Sequence, residues 1–289
     1  MSSQLERRTA GIDLLRTLSG GTYDAAKAAV TMEARHGALG SFAVDHVLGN
    51  LWSRPQLSRR DRSLIVLTFL ATLGANDELS THVLGAINHG LTRAEIEEII
   101  NQIAGYAGFP LAMHATRIVD AVWRKLDGVD RLPAKPPAAA LDDGARHANA
   151  FDVMGTLFGN RPSSKQDSST QDSSTQDSAT PDTVRSGIIV ALGGVGEMAF
   201  DFGFGELWSR TELSRRDRSM VTVAILGMLS RVEELAVHVP GALNHGCSRE
   251  EVEEIMVQLT VYGGFPRGVE GIRAVRAAFK AVDERATRG

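Results

Sequence analysis

Cysteine is almost absent from this chain, and Cys247 is the only one among its 289 residues. A single thiol excludes an internal disulfide and a Cys-x-x-Cys redox site. Runs of basic residues are missing as well, since 31 lysines and arginines face 35 aspartates and glutamates and leave a net charge of −4. This balance argues against nucleic acid or an anionic membrane as the main partner.

Long apolar runs are also lacking. The longest stretches, such as residues 64–73, are much shorter than the roughly 20 residues of a membrane-spanning helix. Residues 1–9 are polar and charged, and the apolar segment typical of a signal peptide does not follow them. We therefore expect a cytoplasmic protein that has no membrane partner.

What the chain does contain is a duplication. Residues 51–119 and 207–275 align without a gap at an offset of 156 residues, and about half of the positions are identical. Matching units of this length indicate two tandem domains, because solenoid repeats are shorter. We predict a first domain over residues 1–131, a linker over 132–144 and a second domain over 145–289. Each half is large enough for its own apolar core.

The spacing of apolar residues is helical nearly throughout and predicts an all-α fold. Ser58 and Thr92 each precede an acidic residue by three positions, a pattern that caps the first turn of a helix. Gly90 is placed to end one. These signals predict helices in the first copy near residues 59–74, 77–89, 93–106 and 110–126, and the second copy repeats them.

A low-complexity insert near residues 163–183 interrupts the second copy. It consists mainly of three near-identical Gln-Asp-Ser pentads and offers almost no apolar side chains to bury. Such a segment cannot offset the entropy lost on ordering, so we predict that it is disordered.

Two residues four apart on a predicted helix, Glu78 and His82, share one face, and His89 lies seven positions further on. The second copy repeats the set as Glu234, His238 and His245. One interpretation is an acid–base histidine whose pKa is set by the neighbouring carboxylate. The other is a surface pair followed by a histidine that complements the helix dipole. No metal site is expected, because Glu78 and His89 would lie about 16 Å apart along the helix.

Arg62 and Arg218 follow a helix start by one turn, where a guanidinium could hold a substrate carboxylate. The predicted catalytic residues are therefore His82, Glu78, Arg62, His238, Glu234 and Arg218. The candidate substrate-binding residues are Arg16, Trp52, His89, Tyr106, His114, Trp208, His245 and Tyr262, although the aromatic ones also fit a packing role. Arg16 and His114 have no counterpart in copy two, so copy one is predicted to be the better-preserved catalytic unit.

Several motifs are distinctive in combination. They are Leu-Trp-Ser-Arg-Pro-Gln-Leu-Ser at 51–58, Arg-Asp-Arg-Ser at 60–63, Glu78-x-x-x-His82, Gly-Ala-Ile-Asn at 85–88 and Tyr-Ala-Gly-Phe-Pro at 106–110. Together they resemble the carboxymuconolactone decarboxylase family, in particular its 4-carboxymuconolactone decarboxylase branch. The resemblance implies compact six-helix units with sites at subunit interfaces and no cofactor. It also implies a homo-oligomer, either a trimer of tandem chains that forms a pseudo-hexamer or a dimer.

The same superfamily includes thiol peroxidases. Those enzymes need a cysteine pair where this chain has Ala75 and Glu78, so their disulfide chemistry is excluded.

We therefore predict cofactor-independent decarboxylation of a small anionic lactone- or enol-type carboxylate, such as 4-carboxymuconolactone. In this hypothesis Arg62 and Arg16 stabilise the anion, His82 transfers a proton and Glu78 orients His82. One alternative is a divergent isomerase, cyclase or lactone-opening enzyme, which the extra histidine in each copy favours. A second alternative is a non-catalytic, oligomeric binding protein.

Overall fold

The computed structural model describes residues 3–159 and 180–287, and within these ranges all regular structure is helical, as predicted. The first copy contains α1 (Gln4–Leu18), α2 (Ala25–His36), α3 (Ala38–Phe42), the π-helical segment π1 (Ala43–Leu51), α4 (Arg59–Leu73), α5 (Asn76–Asn88), α6 (Arg93–Tyr106) and α7 (Phe109–Asp127). The second copy contains α8 (Asp143–Leu157), α9 (Pro181–Leu192), α10 (Gly194–Met198), π2 (Ala199–Leu207), α11 (Arg215–Met228), α12 (Val232–Asn244), α13 (Arg249–Tyr262) and α14 (Phe265–Ala286).

The helix boundaries confirm the start and stop signals. All four predicted helices, now α4 to α7, begin and end within one residue of the expected positions. The Ser58 hydroxyl accepts a hydrogen bond from the Asp61 amide, and Thr92 forms a full capping box with Glu95. Gly90 has the positive φ of 99° that ending the helix there requires.

Most of the predicted disordered insert lies outside the described residues. The last positions of the insert, residues 180–183, are described. Thr180 is the N-cap of α9, which begins at Pro181.

Two helices that are buried on all sides along most of their length lie at the centre of the molecule. Every residue from Asp61 to Thr72 on α4 is buried, and so is every residue from Asp217 to Met228 on α11. Such helices must be covered on all sides. They pack against each other and against α6 and α13, so one apolar core runs through both copies.

None of the described helices is both long and apolar enough to cross a bilayer.

Candidate active site

His82 and Trp52 form the centre of a candidate site that we call site one. His82 projects from α5, and Trp52 lies directly after π1. Their rings stack with centroids 6.2 Å apart and an interplanar angle of 16°. The equivalent pair in copy two, His238 and Trp208, stacks at 6.1 Å with the same angle and forms site two.

Each site also contains a tyrosine from the opposite copy. Tyr262, at the end of α13, accepts a hydrogen bond from the Trp52 indole at 3.2 Å, and its ring meets that of His82 edge-on at 6.2 Å. Reciprocally, Tyr106 accepts one from Trp208 at 2.8 Å, and its Oη lies 3.5 Å from Nε2 of His238.

The second histidine of site one, His89, packs against Trp52 and hydrogen-bonds two side-chain hydroxyl groups. We call these groups, together with the arginine that binds the second of them, the hydroxyl chain. Nδ1 of His89 lies 2.8 Å from the Ser63 hydroxyl, and its Nε2 lies 3.0 Å from the Thr17 hydroxyl. Arg59 donates to that same Thr17 hydroxyl at 2.9 Å, and the His89 ring is 5.7 Å from Trp52. Site two repeats the chain with His245, Ser219, Thr156 and Arg215.

The histidines of both sites are electrically neutral at pH 7. Burial, reinforced by the neighbouring His89, lowers the pKa of His82 to about 4. Burial and the nearby Arg59 charge lower the pKa of His89 to about 4 as well. His238 and His245 behave alike for the same reasons. Burial also raises the pKa of Tyr262 to about 12, so the phenol keeps its proton.

This geometry argues against the dipole interpretation of His89. A histidine that complements a helix dipole is stabilised in its cationic form, whereas the pKa of His89 is lowered. Both of its ring nitrogens are also engaged by side-chain hydroxyl groups.

Comparison with known sequences identifies the fold family. The sequence model of the carboxymuconolactone decarboxylase family matches residues 39–121 and 194–282, which is more than half of the chain and includes both copies. The chain belongs to the carboxymuconolactone decarboxylase family.

Two curated relatives of the family carry names for their reactions. Over 79 residues the chain is 35% identical to the 4-carboxymuconolactone decarboxylase of Acinetobacter baylyi, covering 27% of this chain and 59% of that protein. Over 89 residues it is 37% identical to the nitrosuccinic acid decarboxylase of Metarhizium robertsii, covering 31% and 61%. The chain thus spans about 60% of the length of these relatives.

A solved structure also aligns with the chain. It is described as a gamma-carboxymuconolactone decarboxylase subunit of Burkholderia xenovorans LB400. The alignment covers 95% of this chain and 98% of that one, with 19% identity and a TM-score of 0.49.

Within this family member, the predicted pairing of Glu78 with His82 is wrong. Glu78 is exposed in the first turn of α5, where a carboxylate complements the helix dipole. Nδ1 of His82 is buried and has no hydrogen-bond partner among the described residues. Glu234 is exposed in the same way, and Nδ1 of His238 also lacks a partner. The spacing was correct, but the two side chains lie at different depths.

The predicted role of Arg62 as the anion-binding residue is also at odds with its position. Its side chain is 0% exposed and donates to Glu254 of the other copy at 2.8 Å. It also donates to Gln258 at 3.3 Å. Arg218 is equally buried and binds Glu98 and Gln102. The positive charge of each arginine is balanced by a buried glutamate of the other copy. These ion pairs therefore join the two copies.

The remaining predicted residues lie at the edge or outside the site. The Arg16 side chain is 61% exposed and pairs with Asp13 at 3.1 Å. Because Asp13 also accepts from Arg59, Arg16 lies beside the cation that ends the hydroxyl chain. His114 is on α7 and contacts Arg117, one turn away, so its predicted role in substrate binding is not supported by any contact with site one.

Sequence reasoning missed Arg59, Ser63 and Thr17 as parts of the site. A signal for all three was present, because copy two keeps each of them as Arg215, Ser219 and Thr156.

The described part of the protein also contains a cavity of about 460 Å³. It is bounded by α6, α7, π2 and the segment after α7, and its lining includes Asn101, Phe109, Lys135 and Phe202 but neither His82 nor His238. No group of His, Cys, Asp and Glu side chains within the described ranges has an arrangement suited to a metal ion.

Proposed function

We propose that this protein is a cofactor-independent decarboxylase of a small anionic carboxylate. The observation that carries this proposal is a neutral histidine that the chain builds twice, partly buried in site one and buried in site two, each time beside a hydroxyl chain that ends in an arginine. Membership of the family and the names of the two relatives support the reaction class.

The substrates named for the two relatives share a chemical feature. When 4-carboxymuconolactone loses carbon dioxide, the electron pair left behind passes through a double bond to the lactone carbonyl oxygen. When nitrosuccinic acid does so, a nitro oxygen accepts it. We therefore propose a substrate whose carboxylate leaves from a carbon conjugated with, or attached to, such an oxygen-bearing acceptor group.

The steps follow from this chemistry. The bond between the carboxylate and its carbon breaks, carbon dioxide leaves, and the electron pair moves onto the acceptor oxygen. A proton is then added to carbon. We assign attraction of the anion to Arg59, whose side chain is 43% exposed, assisted in site one by Arg16.

His82 is assigned to proton transfer. Because its pKa is lowered to about 4, the free protein holds it neutral at pH 7. An anion bound nearby favours the protonated form, so we expect substrate binding to draw a proton onto His82. The proton that substrate binding recruits is then available for the carbon.

An assay of carbon dioxide release from 4-carboxymuconolactone and from nitrosuccinate tests the proposal. The double variant His82→Ala/His238→Ala should lose at least about a hundredfold in kcat, the lower end of general acid–base contributions. The exposed His36, at the end of α2, provides a matched control, and His36→Ala should retain turnover. Undiminished turnover in the folded double variant would sink the proposal.

The structure weakens the argument for an isomerase, cyclase or lactone-opening enzyme. The extra histidine of each copy favours that alternative, but both ring nitrogens of His89 are already engaged by Ser63 and Thr17. Absence of turnover on every carboxylate tested, by a folded wild-type chain, would favour the non-catalytic alternative.

We also propose that the chain forms a homo-oligomer. Large apolar side chains are exposed at equivalent positions of the two copies, namely Leu39 and Val195, Phe42 and Met198, Phe109 and Phe265, and Met113 and Val269. Exposed apolar surface that recurs in this way is typical of an interface. The predicted trimer of tandem chains would use each patch three times, and light scattering of the purified chain tests its mass.

A further inference from the structure

One face of α13 reaches from copy two into copy one. Glu254, Gln258 and Tyr262 are spaced four residues apart and therefore lie along one side of the helix. The first two bind the buried Arg62, and the third accepts the Trp52 indole proton.

Helix α6 has the same three residue types at the same spacing, and it extends from copy one into copy two. Glu98 and Gln102 bind Arg218, and Tyr106 accepts from Trp208. The buried arginine therefore fixes each helix in the register that delivers its tyrosine to the opposite site.

The tyrosine is well placed to act on the histidine. Its oxygen already accepts the indole proton, so its own proton is the one left to donate; in site two both Thr222 and His238 lie within reach of it. In site two, Tyr106 Oη lies 3.5 Å from Nε2 of His238, whereas Nδ1 of that ring is buried without a partner. In site one the same rings are in edge-on contact. In site two, Nε2 is thus the histidine nitrogen that faces the tyrosine hydroxyl.

We infer that each site is completed in trans, with the tyrosine of one copy positioning the histidine of the other and sharing a proton at its Nε2. This inference rests on the proposed function of the two histidines. Tyr262 is then the positioning residue of site one and Tyr106 that of site two, and neither half of the chain contains a complete site.

Pairing variants across the duplication test this inference. His238→Ala leaves only site one intact, and in that background Tyr262→Phe should lower kcat about tenfold or more, while Tyr106→Phe changes it less than about twofold. His82→Ala leaves only site two, and the effects of the two tyrosine variants should exchange. If only one of the two sites is active, the tyrosine variants are compared in the single-histidine variant that keeps that site. The substrate KM should change little in every case, because the phenol acts through the histidine.

A second readout does not depend on turnover. With ¹⁵N-labelled histidine, the ring-nitrogen signals and tautomer of His238 should change in Tyr106→Phe and not in Tyr262→Phe. Those of His82 should change only in Tyr262→Phe. This measurement stays informative even if the histidines prove dispensable for decarboxylation, so failure of the proposed function and failure of the inference are distinguishable.

Two results would overturn the inference. In the first, Tyr106→Phe impairs the site that contains His82, so that each tyrosine serves its own copy. In the second, both tyrosine variants lower activity equally in both backgrounds and leave the histidine signals unchanged. That pattern would assign the tyrosines a structural role only, as acceptors for the indole protons.

Discussion

Sites one and two have the same buried groups but different surroundings. Both contain the tryptophan, the two histidines and the crossing tyrosine, and the stacked tryptophan and histidine rings lie at matching distances. The tyrosine ring lies 6.2 Å from that of the histidine in site one and 5.4 Å in site two. At the edge, however, Arg16 of copy one is replaced by Gly155. Beside the tyrosine, Thr222 of site two corresponds to Val66 in site one.

The difference separates two kinds of residue. The tryptophan, the tyrosine and the second histidine of each site hydrogen-bond other side chains, so none of these three can change alone without leaving a partner unpaired. Arg16 is exposed and has only a surface ion pair with Asp13, which contributes little to stability. We therefore expect the buried groups to perform chemistry common to both sites, and the edge to determine any difference in substrate affinity.

The largest effect is expected on the free energy of unfolding, from substitution of the arginines that join the copies. Arg62→Met leaves the buried Glu254 with only Arg54 as its cationic partner. Because Arg54 still balances that charge, we expect a cost of about 3 kcal/mol, the lower end of the range for breaking a buried pair. Arg218→Met should cost a similar amount, because Glu98 retains Arg210 in the same way. Urea unfolding measures both.

The opposite result for Arg62 would restore its predicted role in anion binding. That result is a variant as stable as the wild type but with a raised KM for the substrate. Arg93→Met provides the control, because Arg93 forms an exposed ion pair with Asp127 on the protein surface, which contributes little to stability.

An intermediate effect is expected at the edge of the sites, and it should differ between them. Arg215→Gln removes the cation of site two and should raise KM about tenfold, as for the loss of one charge-assisted hydrogen bond. Arg59→Gln should raise the KM of site one less, because Arg16 remains beside Asp13. Each is measured with the other site inactivated by its histidine-to-alanine variant.

Equal effects at the two sites would show that Arg16 does not contribute to binding. Arg93→Gln should leave KM unchanged, because its ion pair with Asp127 joins α6 and α7 away from the two histidines.

The fold was largely predictable from the sequence because its signals are local. Caps such as Ser58 and Thr92 act within one helical turn, and they gave the boundaries of α4 to α7 to within one residue. The duplication likewise identified His82, His89, Trp52 and Tyr262 as candidates, since both copies keep them.

Partners in the site were not predictable because they depend on packing between the copies. Sequence spacing places Glu78 and His82 on one helix face, but it does not reveal that the carboxylate is exposed while the imidazole is enclosed. Nor does it reveal that Arg62 meets Glu254, which lies 192 residues away. Local patterns describe a helix surface, whereas the identity of what covers it is a property of the whole fold.

The smallest effect is expected from exchanging the residue beside the crossing tyrosine. In site two, Thr222 hydrogen-bonds Tyr106 and accepts from the Gln102 amide at 3.0 Å. Site one shows how the fold manages without this hydroxyl, because the Gln258 amide donates to the Arg62 carbonyl instead. Thr222→Val should therefore allow Gln102 to turn to the Arg218 carbonyl and cost only about 1 kcal/mol.

The reverse exchange, Val66→Thr, should make the surroundings of the tyrosine in site one resemble those in site two. The new hydroxyl can donate to the carbonyl one turn earlier, as Thr222 does to Arg218 at 2.9 Å. It then presents an acceptor to the Tyr262 proton. If that proton is shared with His82, kcat of site one should fall about two- to fivefold, as for one weak competing hydrogen bond. With His238→Ala as background, an unchanged kcat would mean that the Tyr262 proton takes no part in the reaction, and the buried difference between the two sites would be one of packing alone.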